Sequence, residues 1–292
     1  EVPFKMKPTK EEKNRGVRVY IPAKATDNPS LGDEYSDNLD SLPEALRDAM
    51  RDGNWDVLSG VRFSSWNTQY HVIKPEELPI PMLTGQKVIC VDYGFSAPFA
   101  AVWLCKLGDG LVVAYRELYK TGLTATQQAE MIRDLSAEEE AISGDKIPIV
   151  MDPAMWRRND GGVAKSHDPD APPVGSPAHD YQTVLGRRPI RGVNARVHGW
   201  AVIDELLRMR DDGFPRFLSY DTNRDLIKFL PSAPRDKSNP EDIDTHCEDH
   251  ILDAVRYGAM WLTGRRVGEA LPPSPAQLYA TDFTSHLTEA RW

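Results

Sequence analysis

The sequence predicts an α/β domain built on a mixed sheet, and three observations carry that reading. Lys87-Val-Ile-Cys-Val-Asp92 sets four apolar residues in a row before an aspartate, the pattern of a central strand covered on both faces. Ile147-Pro-Ile-Val-Met-Asp152 repeats the pattern further along the chain. Between the two lie a strand–turn–strand segment and a helix, so an antiparallel meander extends the first strand and a helical crossover adds a parallel one. Each apolar run stops at an aspartate followed by a turn residue. Two strands of one sheet would therefore present carboxylates at their carboxyl ends, the edge where open α/β sheets bind ligands.

Taken in order, residues 1–80 are proline-punctuated and hold one clear helix, Pro43–Met50, which Gly53 ends. They have too few strands for a core of their own. Trp55, Phe63, Trp66 and Val72-Ile73 must pack either on the following domain or on one upstream. Pro75, Pro79 and Pro81 read as a linker. Residues 81–265 form the domain proper, with strands over Lys87–Asp92, Phe99–Cys105 and Leu111–Leu118 and a turn at Gly108-Asp-Gly110. Gly94 permits the sharp exit behind the first strand. Thr124 caps a helix over Ala125 to about Ile142, with Gln127 at the capping-box position and Gly144 as its stop. Residues 153–200 are rich in Gly, Pro, Asp and His and give no regular pattern, and a loop of that length inside a domain is usually functional or mobile. Beyond it are a helix at Gly199–Arg208, a strand at Arg216–Tyr220, a helix at Asn223–Leu230 and a last helix from Thr245 to about Thr263. Residues 266–292 are a proline-bearing tail.

The 292 residues, 40% of them hydrophobic, suffice for one large core and exclude the disordered and fibrous classes. No window approaches eighteen apolar residues, so no membrane partner is expected. The start Glu-Val-Pro-Phe-Lys-Met-Lys is neither a signal peptide nor a methionine start, as in a fragment of a longer chain. Cys90, Cys105 and Cys247 include no CxxC pair, which argues against zinc and for buried thiols of a reducing compartment. A formal charge of −9 argues against nucleic-acid binding by bulk electrostatics and leaves local patches to do it.

The chemistry concentrates in three places. The last helix is apolar on nearly every side from Ala254 onward, and Asp253 stands at the threshold of that buried half, where a carboxylate needs a cation. Asp249 lies four residues earlier on the same face, and His250 is also within reach. With Asp92 and Asp152, Asp253 suggests a site for hard divalent ions such as Mg²⁺ or Mn²⁺, which prefer oxygen ligands. Two such carboxylates at ~4 Å repel by about 4 kcal/mol at an effective dielectric near 20, a cost the ions would remove. Arg187, Arg188, Arg191 and Arg196 form a basic run without acids, and Arg157, Arg158 and Lys165 belong to the same irregular region. Such a run is a solvated face or, beside a phosphodiesterase site, a DNA contact.

Asp92-Tyr-Gly after an apolar strand, Val150-Met-Asp152-Pro, and Asp249-His-Ile-Leu-Asp253-Ala-Val-Arg-Tyr257 resemble the three acidic motifs of the nuclease domain of viral (tailed-phage) large terminases. The resemblance covers about residues 84–264. Asp27-Asn-Pro, the Leu42-Pro-Glu helix and Gly53-Asn-Trp55 resemble the closing segment of the terminase motor ATPase, which would make residues 1–80 its C-terminal remnant. What the resemblance implies is a ribonuclease H-like (integrase-type) mixed sheet flanked by helices. The implied activity is a metal-dependent endonuclease that cuts concatemeric double-stranded viral DNA during genome packaging, with metal-activated water attacking the phosphate in line. Asp92, Asp152 and Asp253 would be the catalytic metal ligands for two Mg²⁺ or Mn²⁺ ions, with His250, Asp249 and Glu117 in supporting positions. A surface strand glutamate is the plain alternative for Glu117. Ser96, Ala97 and Pro98 stand where relatives often carry a further acidic residue. No GxxxxGK[ST] cradle is present, so ATP would act only through an upstream domain absent from this chain. Portal protein and the small terminase subunit are the implied partners beside DNA, and the host cytoplasm the implied compartment. A Holliday-junction resolvase or ribonuclease H on the same fold, and a non-catalytic docking module of the motor, are the rival readings.

Overall fold

The computed structural model describes residues 60–158, 168, 170–210 and 213–264, together with the backbone of a short antiparallel pair, Phe4–Lys5 against Val19–Tyr20. The predicted helix at Pro43–Met50, residues 27–59 of the ATPase-like stretch 27–73, Lys165 and the tail from 266 lie outside the described residues.

Seven strands form one mixed sheet. They are β1 (Val72–Ile73), β2 (Gln86–Asp92), β3 (Phe99–Lys106), β4 (Val112–Lys120), β5 (Ile149–Met151), β6 (Ile190–Arg191) and β7 (Phe217–Tyr220). Their order across the sheet is β1-β7-β4-β3-β2-β5-β6. β2, β3 and β4 make the predicted antiparallel meander, and β5 adds to β2 in parallel with Val91 opposite Met151. The crossover into β5 is α2 (Ala125–Ser143), held at its start by the capping box: Thr124 Oγ1 accepts from Gln127 N, and Thr124 N donates to Gln127 Oε1 at 2.9 Å.

The unalternating apolar run of β2 is explained by burial on both faces. Val88 and Cys90 belong to a core shared with α4 (Arg196–Leu206) and α6 (His250–Thr263), and Ile89 and Val91 to a core shared with α2 and α3 (Pro177–Leu185). The same split holds in β5, where Val150 faces α6 and Ile149 and Met151 face α2. By the two-residue period of a strand, Asp92 and Asp152 continue the α6 side of their strands.

The structure decides where the early aromatic residues pack. Phe63 and Trp66 are buried in the α6-side core, and β1 pairs in parallel with β7 at the sheet edge, so the following domain is what they cover. A four-residue helix, α1 (Thr68–His71), leads into that edge. Two departures lie in the segment that gave no pattern and at the last helix. Residues 153–200 contain a 3₁₀ turn at Pro153–Trp156, helix α3 and edge strand β6. Ser176 caps α3 with a bond from His179 N, and Pro177 sits at its first turn, a start signal embedded in Pro- and Gly-rich sequence that reads as loop. The last helix starts at His250 rather than Thr245, because Asp244 holds residues 244–247 in a turn: its carboxylate accepts from His246 N at 2.9 Å and its carbonyl from Cys247 N at 3.2 Å. The remaining helix, α5 (Arg224–Phe229), follows β7.

Gly258 sets how deeply α6 lies on the sheet. A Cβ there would meet Cys90 Sγ at 2.0 Å and Leu104 Cδ1 at 2.8 Å. Gly to Ala within a helix ordinarily stabilises by about 1 kcal/mol. Here the overpacking reverses the sign, and Gly258→Ala is expected to destabilise by about 1–3 kcal/mol in urea unfolding. Combining it with Cys90→Ala should recover part of that loss, and two strictly additive losses would show that Cys90 is not the obstacle.

Candidate active site

Asp92 ends β2 and Asp152 follows β5, so parallel pairing sets the two carboxylates side by side, and Asp152 N donates to Val91 O at 2.9 Å. Gly94 lets the chain leave β2 sharply. A Cβ there would lie 2.3 Å from Pro98 O, and Gly94 O accepts a bond from buried Gln128 at 2.7 Å. α6 then brings its first turn to this edge. His250 Nδ1 lies 2.9 Å from Asp92 Oδ2. Tyr257, two turns on, donates to Asp152 Oδ1 at 3.3 Å, and Ala154 N donates to the same oxygen at 2.8 Å. Asp92 Oδ1 and Asp152 Oδ2 have no hydrogen-bond partner among the described residues.

Asp253 is held differently. Arg256 Nε donates to its Oδ1 at 2.7 Å and Arg196 Nη1 to its Oδ2 at 2.8 Å. Arg256 is 0% exposed, its guanidinium 5.2 Å from the Trp200 ring centre and 4.4 Å from that of Tyr257. Gly199 makes room for it, since a Cβ there would meet Arg256 Cγ at 2.4 Å. Arg196 also reaches Asp249 Oδ2 at 3.3 Å and Asp242 Oδ1 at 3.2 Å.

Burial governs the ionisation of the site. It pushes the Asp92 carboxyl up to about 7; the His250 hydrogen bond opposes the rise, while the charges of Asp253 and Asp152 add to it. His250 is raised above the usual histidine value, first by its bond to Asp92. Burial, then the Asp253 charge, raises Asp249.

Of the residues that the sequence marks, the structure gathers Asp92, Asp152, Asp253, His250 and Asp249. Glu117 is elsewhere: both its oxygens accept backbone N–H groups at the start of α5, from Asp225 at 2.8 Å and Leu226 at 3.0 Å. The basic run divides. Arg187 turns inward onto Glu140, which also binds Lys146 at 2.9 Å and Ile147 N at 3.1 Å, and Arg196 turns onto the site aspartates. Arg157, Arg188 and Arg191 are exposed; Arg188 pairs with Asp168 at 2.8 Å, and Arg191 stands opposite Met151, one residue before Asp152. Arg158 is half-buried with a partner of its own. Arg256, Tyr257, Trp200 and Asp242 belong to the site although sequence reasoning assigned them no role. The signal for Arg256 was its place three residues after Asp253, the spacing of a helical ion pair.

The donor set at Asp92 and Asp152 fits a hard divalent cation: two carboxylates, each with an oxygen free of protein partners. Among the described residues no ready-made group of three or more His, Cys, Asp or Glu donors surrounds a common point, and Asp253 is engaged by two guanidiniums.

No protein-family model matches the sequence, and no curated protein matches it. Solved structures do match. The nuclease domain of the P22 large terminase aligns at 20% identity with a TM-score of 0.50, covering 70% of this chain and 92% of that domain. The fold is that of large-terminase nuclease domains. The large terminase of a thermophilic bacteriophage aligns at 16% identity with a TM-score of 0.52, covering 82% of this chain and 54% of its own length. The chain thus spans about half the length of that terminase. The terminase-nuclease fold is ribonuclease H-like, and the seven-stranded mixed sheet with helices on both faces has this architecture.

Asp92 and His250 both bind a proton more tightly folded than unfolded, so the stability they contribute is present at acid pH and lost as pH rises. For Asp92 the window runs from its ordinary 3.8 to about 7. In EDTA, the melting temperature of Asp92→Asn relative to wild type should therefore rise between pH 5 and pH 8. Equal differences at the two pH values would mean that the Asp92 charge is not strained.

Proposed function

We propose that this chain is a divalent-metal-dependent endonuclease that cuts concatemeric double-stranded viral DNA during genome packaging. The observation that carries the reading is the delivery of Asp92 and Asp152 to adjacent strand ends, each with a free oxygen, on a terminase-nuclease fold. Divalent ions held by Asp92 and Asp152, with Asp253 as the third ligand, would supply Lewis-acid stabilisation of phosphate oxygens and a more acidic water nucleophile. The chain's own residues prepare that site. His250 fixes Asp92, Tyr257 and Ala154 N orient Asp152, and Arg256 locks Asp253. Arg157 closes the turn that Asp152 opens, Arg191 pairs beside Met151, and Arg188 lies toward the other end of β6; these three supply phosphate contacts. Motor ATPase, portal protein and small terminase subunit belong to the same proposal, as do two Mg²⁺ or Mn²⁺ ions and the host cytoplasm; among the described residues no helix is long and apolar enough to cross a membrane.

Asp92→Asn and Asp152→Asn are each expected to remove Mn²⁺-dependent cleavage of duplex DNA, by at least about a hundredfold, with the fold retained by circular dichroism. Near wild-type cleavage by either variant would remove that residue from the ligand set.

Replacing Arg188 and Arg191 together by Ala should weaken DNA binding about equally across sequences and reduce the salt slope by about 2, since each phosphate no longer neutralised takes about 0.9 from it. Arg187→Ala is the contrast. It leaves Glu140 short of its buried partner and should lower the melting temperature with the salt slope unchanged. A changed slope for Arg187→Ala, or an unchanged one for the double variant, would place the DNA on another surface.

A further inference from the structure

Asp253 is bound by two arginines of opposite character. Arg256 has no exposed side-chain surface and is wedged between Trp200 and Tyr257. Arg196 keeps 24% of its side chain exposed, at the first residue of α4, where Ala195 offers no side-chain cap. Its guanidinium faces three carboxylates at once. The Asp253 bond is short, 2.8 Å, and those to Asp242 and Asp249 are longer, 3.2 and 3.3 Å. One positive charge therefore serves three negative ones, and it does so at the carboxylate oxygen that Arg256 leaves open.

We infer that Arg196 is the resident counter-cation of the Asp253 side of the site, that a second divalent ion must displace it, and that Arg196 thereby sets the order in which cations load. The inference rests on the proposed metal-dependent reading of Asp92 and Asp152. Arg196 holds one oxygen each of Asp242, Asp249 and Asp253, whereas Asp92 and Asp152 have free oxygens and no guanidinium beside them, so the first ion binds there. Occupation at Asp253 requires Arg196 to leave Oδ2, while Arg256 stays on Oδ1 and limits Asp253 to one donor oxygen. Asp242 and Asp249 remain near the displaced guanidinium and keep the exchange reversible. Trp200 adds to this hold, with its ring centre 5.4 Å from the Arg196 guanidinium and its Nε1 donating to Asp242 at 2.7 Å.

The experiment is calorimetric titration of the full chain with MnCl₂ alone, without DNA, for wild type, Arg196→Gln, Arg196→Lys and Asp152→Asn. Wild type should show a tighter first event and a weaker second one. Arg196→Gln should tighten the second at least about tenfold and leave the first unchanged. Arg196→Lys keeps the charge but loses the fork that spans three carboxylates, so an intermediate gain is expected, and this variant decides the question if the Gln variant does not fold. The rise in melting temperature on adding Mn²⁺ should be larger in both variants than in wild type. If Asp152→Asn loses the first event but neither Arg196 variant changes the second, the displacement idea is wrong and the metal-site reading stands. If Asp152→Asn binds Mn²⁺ like wild type, the metal-site reading fails and this inference falls with it.

Discussion

The close approach of α6 to the sheet is the constraint on which the site depends. With no side chain at Gly258, the helix settles against Cys90 and Leu104 in the middle of β2 and β3. Its first turn then reaches the end of β2, where His250 meets Asp92, and Tyr257 meets Asp152 beyond β5. At the far end Lys106 Nζ donates to Leu262 O at 3.0 Å, so the helix is fixed along its length as well as in depth. Strand pairing alone aligns Asp92 with Asp152. The helix supplies the third carboxylate, the histidine, the tyrosine and the buried arginine that braces Asp253, while α4 adds Arg196 and Trp200 and the loop before α6 adds Asp242.

Such a site concentrates negative charge, and its arginines offset part of it. Asp92, Asp152, Asp242, Asp249 and Asp253 converge on one end of the sheet, against the guanidiniums of Arg196 and Arg256 and the imidazole of His250. Taking a carboxylate out of water costs several kcal/mol unless a partner compensates it, and the structure places its two guanidiniums around Asp253. Asp92 and Asp152 have no arginine. Their relief is proton binding at Asp92, raised to about 7, and the one free oxygen each offers a cation. The two halves of the site thus solve the same electrostatic problem by different means, which is why they differ as ligands.

Much of this was legible in the sequence, for identifiable reasons. Unbroken apolar runs ending in aspartate marked β2, β5 and their parallel pairing, and capping signals marked α2. The three aspartates and His250 followed from strand ends and helical spacing. The failures at charged residues share a cause: charge reads the same in sequence whether it faces water or another charge. Arg187 and Arg196 stand in a basic run without acids, yet their partners Glu140, Asp242, Asp249 and Asp253 lie 46 or more residues away along the chain. Glu117 was misleading for the same reason, because the N–H groups it binds belong to a helix more than a hundred residues later. α3 was hidden by its surroundings of Pro and Gly, although Ser176-Pro177 was a usable start signal.

Asp253 shows how this geometry changes the meaning of a substitution. A carboxylate that only bound cations could be removed with some relief of repulsion, because its neighbours are also negative. Asp253 is instead the close charged partner of Arg256, whose other hydrogen bonds, to Val193 O and Asn194 Oδ1, are 3.3 and 3.4 Å long. Truncating Asp253 to Ala would leave a guanidinium with no exposed surface uncompensated, at a cost of about 3–5 kcal/mol. It would also release Arg196 from its shortest bond. Reduced activity in such a variant would mix the removal of a ligand with the collapse of the α4–α6 packing around Trp200. Asp152 carries no arginine and has only a backbone N–H and a tyrosine hydroxyl on one oxygen. It is the aspartate whose substitution isolates the chemistry.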